Sequence, residues 1–284
     1  MPGPVSFEAP TALEFFSALV ADDSSLPVLE AAIAVAQDEL PELDVQAVLA
    51  EVDALAERLR RRLPGDAAPL QRLRMLNQYF FQELGFAGNV NNYHDPRNSL
   101  LPVVLQTRRG IPLTLALLYI EVATQIGLHA SGVSFPGHFL VKLQMPRGEV
   151  VIDPFSGRSL TREDLEERLL PYRRQRGGVP EDEVPLGLYL QPAPPRAMIA
   201  RLLRNLKESH RIAQDTPRLA AVLQRLVILL PQEARERRAL ALVLAQLGRH
   251  EQAAQELAAY LQNSPDSDDG QALRDELARW RRAD

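Results

Sequence analysis

Three positions in the sequence are spaced as the parts of a nucleophilic site would be. His138 follows the turn pair Pro136-Gly137 and opens an apolar run, and Asp153 closes a second apolar run. Gly110-Ile111-Pro112 starts an apolar helix. A helix start that faces a histidine and an aspartate on neighbouring strands is the skeleton of a Cys-His-Asp site, in which the imidazole activates the thiol and the carboxylate orients the imidazole. The chain has no cysteine, so the sequence supplies the helpers of such a site without its nucleophile.

The missing thiol leaves Thr114 as the alternative nucleophile, because it lies near the same helix start. A threonine hydroxyl needs an aligned base, and the side chain of Thr114 is expected to point elsewhere around the helix. The sequence leaves three interpretations of His138 open. It is a buried core histidine hydrogen-bonded to Asp153, part of a retained ligand-binding cleft, or a base in catalysis.

A polar, turn-rich segment at residues 91–99 precedes the apolar helix. Its Asp95-Pro96 and Asn98-Ser99 pairs are typical of turns and helix caps. Arg109 stands beside the helix start, where a guanidinium and free backbone N–H groups can hold an anion, although Pro112 supplies no N–H. The predicted binding residues are Asn92, Tyr93, Asn98, Arg109 and His138.

Metal and phosphate sites have little support in the sequence. The five histidines are scattered, with no two at positions i and i+4, and thiolate ligands are excluded with the cysteines. None of the usual glycine-rich phosphate loops is present. We therefore predict no metal ion and no other cofactor.

The spacing of apolar side chains predicts the helices that would position these residues. Four helices are expected before the polar segment, because prolines and glycines separate four runs with helical periodicity. The apolar helix is expected to be central, since it is apolar nearly all round, with Pro112 at its first position and Gly127 at its end. The predicted helices span residues 11–22, 28–40, 44–63, 68–84 and 112–126.

A small antiparallel sheet is predicted after the central helix. Its strands span residues 129–134, 138–145 and 149–153. Pro146-Arg147-Gly148 forms the second turn. Thr161-Arg162-Glu163-Asp164 resembles a helix start, and that helix is expected to end at Pro171. Five prolines within residues 177–195 indicate a semi-rigid linker.

The rest of the chain is predicted to be helical and carries a repeat. Pro231 and Pro265 are separated by one 34-residue period of a tetratricopeptide repeat. Small and large apolar residues between them fit that repeat, whereas the stretch before them fits it less well. Residues 268–282 suit a closing helix. Two repeats are fewer than a stable array needs, so we expect this arm to pack against other parts of the protein.

Composition limits the classes of function. The length of 284 residues is enough for one large domain or two ordinary ones. Apolar residues make up 46% of the chain, so a core can be buried. No run approaches the roughly 18–20 apolar residues of a membrane span, and the first residues lack the basic start of a signal peptide, so we expect a soluble cytoplasmic protein. A formal charge of −5 argues against nucleic-acid binding, which needs a basic surface.

The segments NNYHDPRNS, RRGIPLTLALLY, PGHFLVKL and VIDPF resemble the transglutaminase-like domain, of papain-like fold, that bacterial proteins carry fused to tetratricopeptide repeats. The resemblance covers roughly residues 70–160 for the core and 197–265 for the repeats. Enzymes of this superfamily place a cysteine two residues after a glycine at a helix start, then a strand histidine, then an aspartate before proline. The resemblance implies that His138 and Asp153 occupy the last two positions and Pro112 that of the nucleophile.

These observations predict an α+β, mostly helical protein, with a helical N-terminal lobe packed on a transglutaminase-like core that has a small antiparallel sheet, followed by a tetratricopeptide-like helical arm. We place the domains at residues 1–190 and 191–284. The main hypothesis is a non-catalytic protein that binds a protein or peptide through its C-terminal arm, because proline cannot act as a nucleophile and repeat helices expose a concave surface. One alternative is an amide hydrolase or acyl transferase in which His138 and Asp153 activate water. Another is a regulatory scaffold that functions entirely through its C-terminal arm.

Overall fold

The chain is predominantly helical in the computed structural model, which describes residues 10–175, 184–263 and 270–281. The helices are α1 (Ala12–Leu19), α2 (Val28–Ala34), α3 (Val45–Arg60), α4 (Pro69–Asn77), α5 (Leu101–Thr107), α6 (Pro112–Gln125), α7 (Arg162–Gln175), α8 (Leu186–Tyr189), α9 (Pro195–Ile212), α10 (Thr216–Leu229), α11 (Ala234–Gln246), α12 (His250–Asn263) and α13 (Gly270–Trp280). The strands are β1 (Ala87–Gly88), β2 (Arg109–Gly110), β3 (His129–Val133), β4 (Leu140–Met145), β5 (Gly148–Asp153) and β6 (Arg158–Leu160). The predicted α+β, mostly helical class is confirmed.

The described residues form two compact units. The sheet unit comprises Val28–Ala36 and the described part of Leu43–Leu202. The repeat unit comprises Gln37–Glu42 together with the described parts of Met1–Pro27 and Leu203–Asp284. The domain boundary predicted at residue 190 stays a prediction.

Helix α6 lies at the centre of the sheet unit. It begins at Pro112, whose missing N–H costs nothing at a first helical position, and Gly127 follows its end with a left-handed φ of 79°. Helices α2 to α5 pack on it, and so do β3 and β4. Each fully buried leucine of such a helix stabilises the fold by about 1.5–3 kcal/mol. The predicted central helix is therefore confirmed. Three of the four helices predicted before the polar segment pack on it, whereas the first, α1, belongs to the repeat unit.

The antiparallel sheet has four strands in the order β3-β4-β5-β6. Pro146 and Arg147 form the loop between β4 and β5, with Met145 opposite Gly148, so the predicted turn is confirmed. Sequence analysis missed β6, because three residues are too short to show alternation. It also missed the short parallel pair of β1 with β2.

His138 lies on a turn and not at the start of a strand, contrary to the prediction. Its N–H donates to the carbonyl oxygen of Phe135 at 2.9 Å. Pro136 and Gly137, which has a φ of 68°, are the central residues that a type II turn favours. Strand β4 consequently begins only at Leu140.

The helix predicted at residues 68–84 changes its winding partway. Helix α4 ends at Asn77 and continues as a π-helical turn, Gln78–Glu83, after which the N–H of Leu84 donates to the carbonyl of Tyr79 at 2.8 Å. This wider turn buries Tyr79 and Phe80 together, a result of packing that helical periodicity does not predict.

Helix α7 begins with the cap that the sequence predicts, since Thr161 and Asp164 exchange hydrogen bonds of 2.8 and 3.2 Å. The predicted end at Pro171 is wrong, because the helix continues to Gln175. A proline inside a helix removes one backbone hydrogen bond. Leu169, in the helical turn that precedes Pro171, is fully buried in the core of the sheet unit and holds that turn in place.

In the repeat unit, helices α10 to α13 each pack on the next one, and α1 packs on α10. The buried guanidinium of Arg225 donates two hydrogen bonds, of 2.6 and 2.7 Å, to the carboxylate of Asp38. It also lies over the ring of Phe16, 4.9 Å from the centroid. Residues from the first part of the chain therefore complete the unit, as an array of only two repeats requires.

Part of the predicted linker, residues 177–183, lies outside the described residues, and so does Pro265. The described part of the linker contains the single helical turn α8 and a β-bridge between Val133 and Pro192. Among the helices that the structure describes, none is long and apolar enough to cross a bilayer.

Candidate functional site

The start of α6 is tied to the preceding loop by Thr114. Its buried hydroxyl lies 2.9 Å from the carbonyl oxygen of Asn98 and 3.1 Å from that of Ile111, and donates to them. Gly110 permits this approach, because a Cβ there would lie 2.7 Å from the Thr114 oxygen. The hydroxyl is thus engaged by backbone acceptors and not by a base. Pro112, at the same helix start, brings no nucleophilic atom.

The side chain of Asn98 holds the polar loop together. Its Nδ2 donates to the carbonyl oxygens of Asn92 and Tyr93, at 2.7 and 3.2 Å, and its Oδ1 accepts from Nδ2 of Asn89 at 2.9 Å. The amide of Asn92 donates to a carboxylate oxygen of Asp95 at 3.2 Å. The two asparagines predicted to bind a ligand therefore serve the loop itself, whereas Tyr93 is 48% exposed.

Arg109 is exposed at the edge of the β1–β2 pair. Its Nη1 donates to the carbonyl oxygens of Gly85 and Arg108, at 2.6 and 2.9 Å. Arg109, which was predicted to hold an anion, is therefore attached to the turn at Gly85 and not to His138.

Backbone hydrogen bonds link the end of β5 to the start of α6. The carbonyl of Phe155, two residues after Asp153, accepts the N–H of Gly88 at 2.9 Å, and the N–H of Asn89 donates to the carbonyl of Gly110 at 3.1 Å. Gly88 is needed for this contact, because a Cβ there would lie 2.2 Å from the Phe155 ring. Through Gly88 and Asn89, these bonds connect the loop after the aspartate strand to Gly110, which directly precedes the start of α6.

A guanidinium lies between His138 and Asp153. Nη2 of Arg168 donates to Oδ2 of Asp153 at 3.0 Å, and Nη1 of Arg168 lies 3.4 Å from Nδ1 of His138. The other carboxylate oxygen of Asp153 accepts the N–H of Phe155 at 3.0 Å. Nδ1 of His138 thus faces a guanidinium, a group that only donates. The carboxylate is thus paired with Arg168, and not with the imidazole that it would orient in an enzyme.

The surroundings of His138 favour its neutral form. Burial is the largest cause that lowers its pKa, and the positive charges of Arg168 and Arg201 lower that pKa further, against the opposing effect of Asp153. Activation of a nucleophile requires the imidazole to accept a proton, and two cations beside the ring oppose that step.

Arg168 and Arg201 were not among the residues predicted from the sequence. Arg168 lies three residues after Leu165 and directly before Leu169, both of which are buried, and Arg201 directly precedes the buried Leu202. Position beside a buried helix face is the only local signal for either residue. Neither position could be distinguished from those of the other arginines in α7 and α9 without the tertiary structure.

Within residues 10–175, 184–263 and 270–281, no group of three or more histidine, cysteine, aspartate or glutamate side chains is arranged to hold a metal ion.

Comparison with known proteins gives two family matches and several relatives. The transglutaminase-like superfamily matches residues 46–204, and the tetratricopeptide repeat matches residues 206–278. The UPF0162 protein of Xylella fastidiosa (strain 9a5c) is 38% identical over 257 residues, which are 90% of each chain. The UPF0162 protein of Pseudomonas aeruginosa is 34% identical over 220 residues, 78% of each chain.

A shorter match comes from the F-box only protein 21 of Mus musculus, which is 39% identical over 72 residues, 25% of this chain and 12% of that protein. No solved structure matches the chain at a significant level.

Proposed function

The chain belongs to the transglutaminase-like superfamily, and from that premise we propose that it is a non-catalytic member that binds a protein or peptide through its tetratricopeptide-like helices. The non-catalytic part of the proposal rests on the absence of cysteine combined with the pairing of Asp153 to Arg168 at 3.0 Å. Acyl transfer in this superfamily needs a thiolate, a base and a carboxylate that orients the base. Here the thiolate is missing, and the carboxylate of Asp153 is paired with the guanidinium of Arg168.

The contacts around α6 also disfavour the hydrolase alternative. Water activation would require His138 to take up a proton, and Arg168 and Arg201 lower the pKa of that imidazole. Thr114 cannot replace the thiol without giving up its hydrogen bonds to backbone carbonyls. The hydroxyl of Thr114 is therefore engaged by backbone acceptors, and protonation of His138 is disfavoured.

Activity assays on the full chain test the non-catalytic proposal. Incorporation of a fluorescent amine into casein and release of ammonia from glutamine peptides would be measured for the wild type, His138→Ala and Thr114→Ala. We expect the three proteins to give the same background rate. Wild-type activity that is lost in His138→Ala and kept in Thr114→Ala would establish the hydrolase or acyl transferase instead.

A groove among α9, α10 and α11 supports binding of a peptide. It has a volume of about 590 Å³, and its apolar lining comprises Leu219, Leu223, Ala239, Leu242 and Val243. Of the basic residues at its edge, Lys207 is bonded to Glu236 and Arg211 to Glu208. With its charges paired internally, the groove suits the apolar side chains of a helix or extended segment.

Leu242 offers a direct test of the groove. Peptides would be selected from a random displayed library on the full chain, and the Kd of the best peptide measured for Leu242→Asp and for a control, Leu188→Asp, at an exposed leucine of the sheet unit. We expect the Kd to rise at least tenfold for Leu242→Asp and to stay unchanged for Leu188→Asp. Equal Kd values for wild type and Leu242→Asp, or failure to select any peptide, would contradict the proposed role of the arm.

The proposal extends to the domain boundary, the cellular location and the predicted binding residues. We infer a functional boundary near residue 190, separating the superfamily core from the arm. We also infer a cytoplasmic location, which the lack of cysteines supports. Of the predicted binding residues, Tyr93 is 48% exposed and His138 lies beside Arg168, whereas Asn92, Asn98 and Arg109 bond within the fold.

A further inference from the structure

Arg201 is a half-buried cation whose direct contacts are with uncharged side chains. Its Nη1 donates to the hydroxyl of Ser134 at 3.0 Å, and its guanidinium lies over the ring of Phe139, 5.4 Å from the centroid. No carboxylate of the described chain forms an ion pair with it, and burial lowers its pKa. An arginine removed from water without an anion is costly, so the fold maintains an unsatisfied positive charge at this position.

A second guanidinium and an imidazole lie close to Arg201. Arg201 contacts Ser134 and Phe139, which flank the turn that carries His138, and Arg168 lies 3.4 Å from the His138 ring. Asp153 is the carboxylate at this cluster and is paired with Arg168. Among the described residues, the cluster therefore holds two guanidinium groups against one carboxylate, which leaves an excess positive charge.

Two tyrosines border the cluster on its exposed side. Tyr93 is 48% exposed and Tyr172 38% exposed. The ring of Tyr93 lies 6.0 Å from that of Phe155, whose N–H donates to Asp153. The hydroxyl of Tyr172 packs against Gly137, where an added Cβ would lie 1.8 Å from it. Neutral phenol hydroxyls can donate hydrogen bonds to an anion, and their exposure gives a ligand access to the cationic groups.

We propose that Arg201, Arg168 and the hydroxyls of Tyr93 and Tyr172 bind the oxyanion of a ligand, a carboxylate or a phosphate group, beside the turn that carries His138. A guanidinium matches the planar or tetrahedral oxygens of such groups through paired N–H donors. The site makes no use of a nucleophile, and none of these four residues lines the peptide groove on the arm.

Calorimetric titration of the full chain with inorganic phosphate, acetate, and a tripeptide with either a free or an amidated carboxyl terminus tests this site. Ionic strength would be held constant with sodium chloride, so that general screening does not mimic binding. We expect saturable binding of at least one anion. Binding of phosphate identifies a phosphate group as the preferred source, and binding of the free but not the amidated tripeptide identifies a carboxyl terminus.

Arg201→Gln and a matched control, Arg147→Gln, assign the binding to the cluster. Arg147 is exposed in the β4–β5 turn, so its substitution should leave the Kd unchanged, whereas Arg201→Gln should raise the Kd at least tenfold. Thermal melts give a second readout, since the anion should raise the Tm of the wild type and not that of Arg201→Gln. Tyr172→Phe, which removes only a hydroxyl, should weaken binding several-fold if Arg201→Gln fails to fold. The proposal is overturned if no tested anion binds the wild type, or if the folded variants bind as the wild type does.

Discussion

Removal of the Asp38 carboxylate is expected to destabilise the repeat unit strongly. Asp38→Ala leaves the guanidinium of Arg225, which is 0% exposed, without its anion, whereas Asp38 is 22% exposed and can be hydrated if Arg225 is replaced instead. Loss of one partner from a buried ion pair costs about 3–5 kcal/mol. Arg225 would keep its contacts with Phe16 and with the carbonyl of Ala12. We therefore expect a loss of about 3 kcal/mol for Asp38→Ala and about 1–2 kcal/mol for Arg225→Met.

Trp280 makes this difference measurable. It is the only tryptophan of the chain and is buried in α13, so its fluorescence in urea reports the unfolding of the repeat unit. With an m value of about 1–1.5 kcal/mol per M, Asp38→Ala should lower the urea midpoint by about 2–3 M.

The double variant Asp38→Ala/Arg225→Met is the control. It should regain most of the loss, because no charge remains buried. A larger loss of stability in Arg225→Met than in Asp38→Ala, or a double variant less stable than Asp38→Ala, would refute the cost assigned to the unpaired guanidinium.

Three further predictions concern the turn that carries His138. Arg168→Met should raise the pKa of His138, because it removes a cation that lowers it; an NMR titration measures this, and an unchanged pKa would contradict the role given to Arg168. Since the folded-state pKa of His138 lies below its usual value of about 6.5, wild-type stability should fall as the pH decreases from there through the folded-state pKa. His138→Gln should flatten that slope in thermal melts between about pH 7 and pH 5. Gly137→Ala should destabilise by about 1–3 kcal/mol, because its φ is 68° and its Cβ would meet the Tyr172 hydroxyl. Gly85→Ala, with a φ of 73° and open space around it, isolates the strain, so equal losses in the two variants would exclude the contact with Tyr172.

Local chemistry explains which parts of the fold could be predicted from the sequence. Helix α6 was predicted to within one residue, because a proline at the start and a glycine in left-handed conformation at the end are local signals. The cap of α7 at Thr161 and Asp164 is equally local. The π-helical turn after Asn77 and the three-residue strand β6 depend on packing and pairing with distant residues. The periodicity of apolar residues therefore does not predict them.

The candidate site shows the same division. The type and order of His138 and Asp153 suggest that they belong together, and backbone hydrogen bonds connect the loop after the aspartate strand to Gly110, which directly precedes the start of α6. The intervening cation could not be predicted, because Arg168 lies in a helix rich in charged residues and acquires its role only when β5 places Asp153 beside it. Arg201 reaches the cluster from α9, after the predicted linker. Its contribution depends entirely on tertiary structure.

The ion pair between Arg225 and Asp38 joins residues 187 positions apart in the chain. During synthesis on the ribosome, α1 and Asp38 emerge long before the helix that buries them, so the side chain of Phe16 stays without its partner while most of the protein is still being made. Closing so large a loop is entropically expensive and slow. The repeat unit is therefore expected to mature last and only after translation is almost complete, and truncation within α10 would leave the N-terminal helix permanently unprotected.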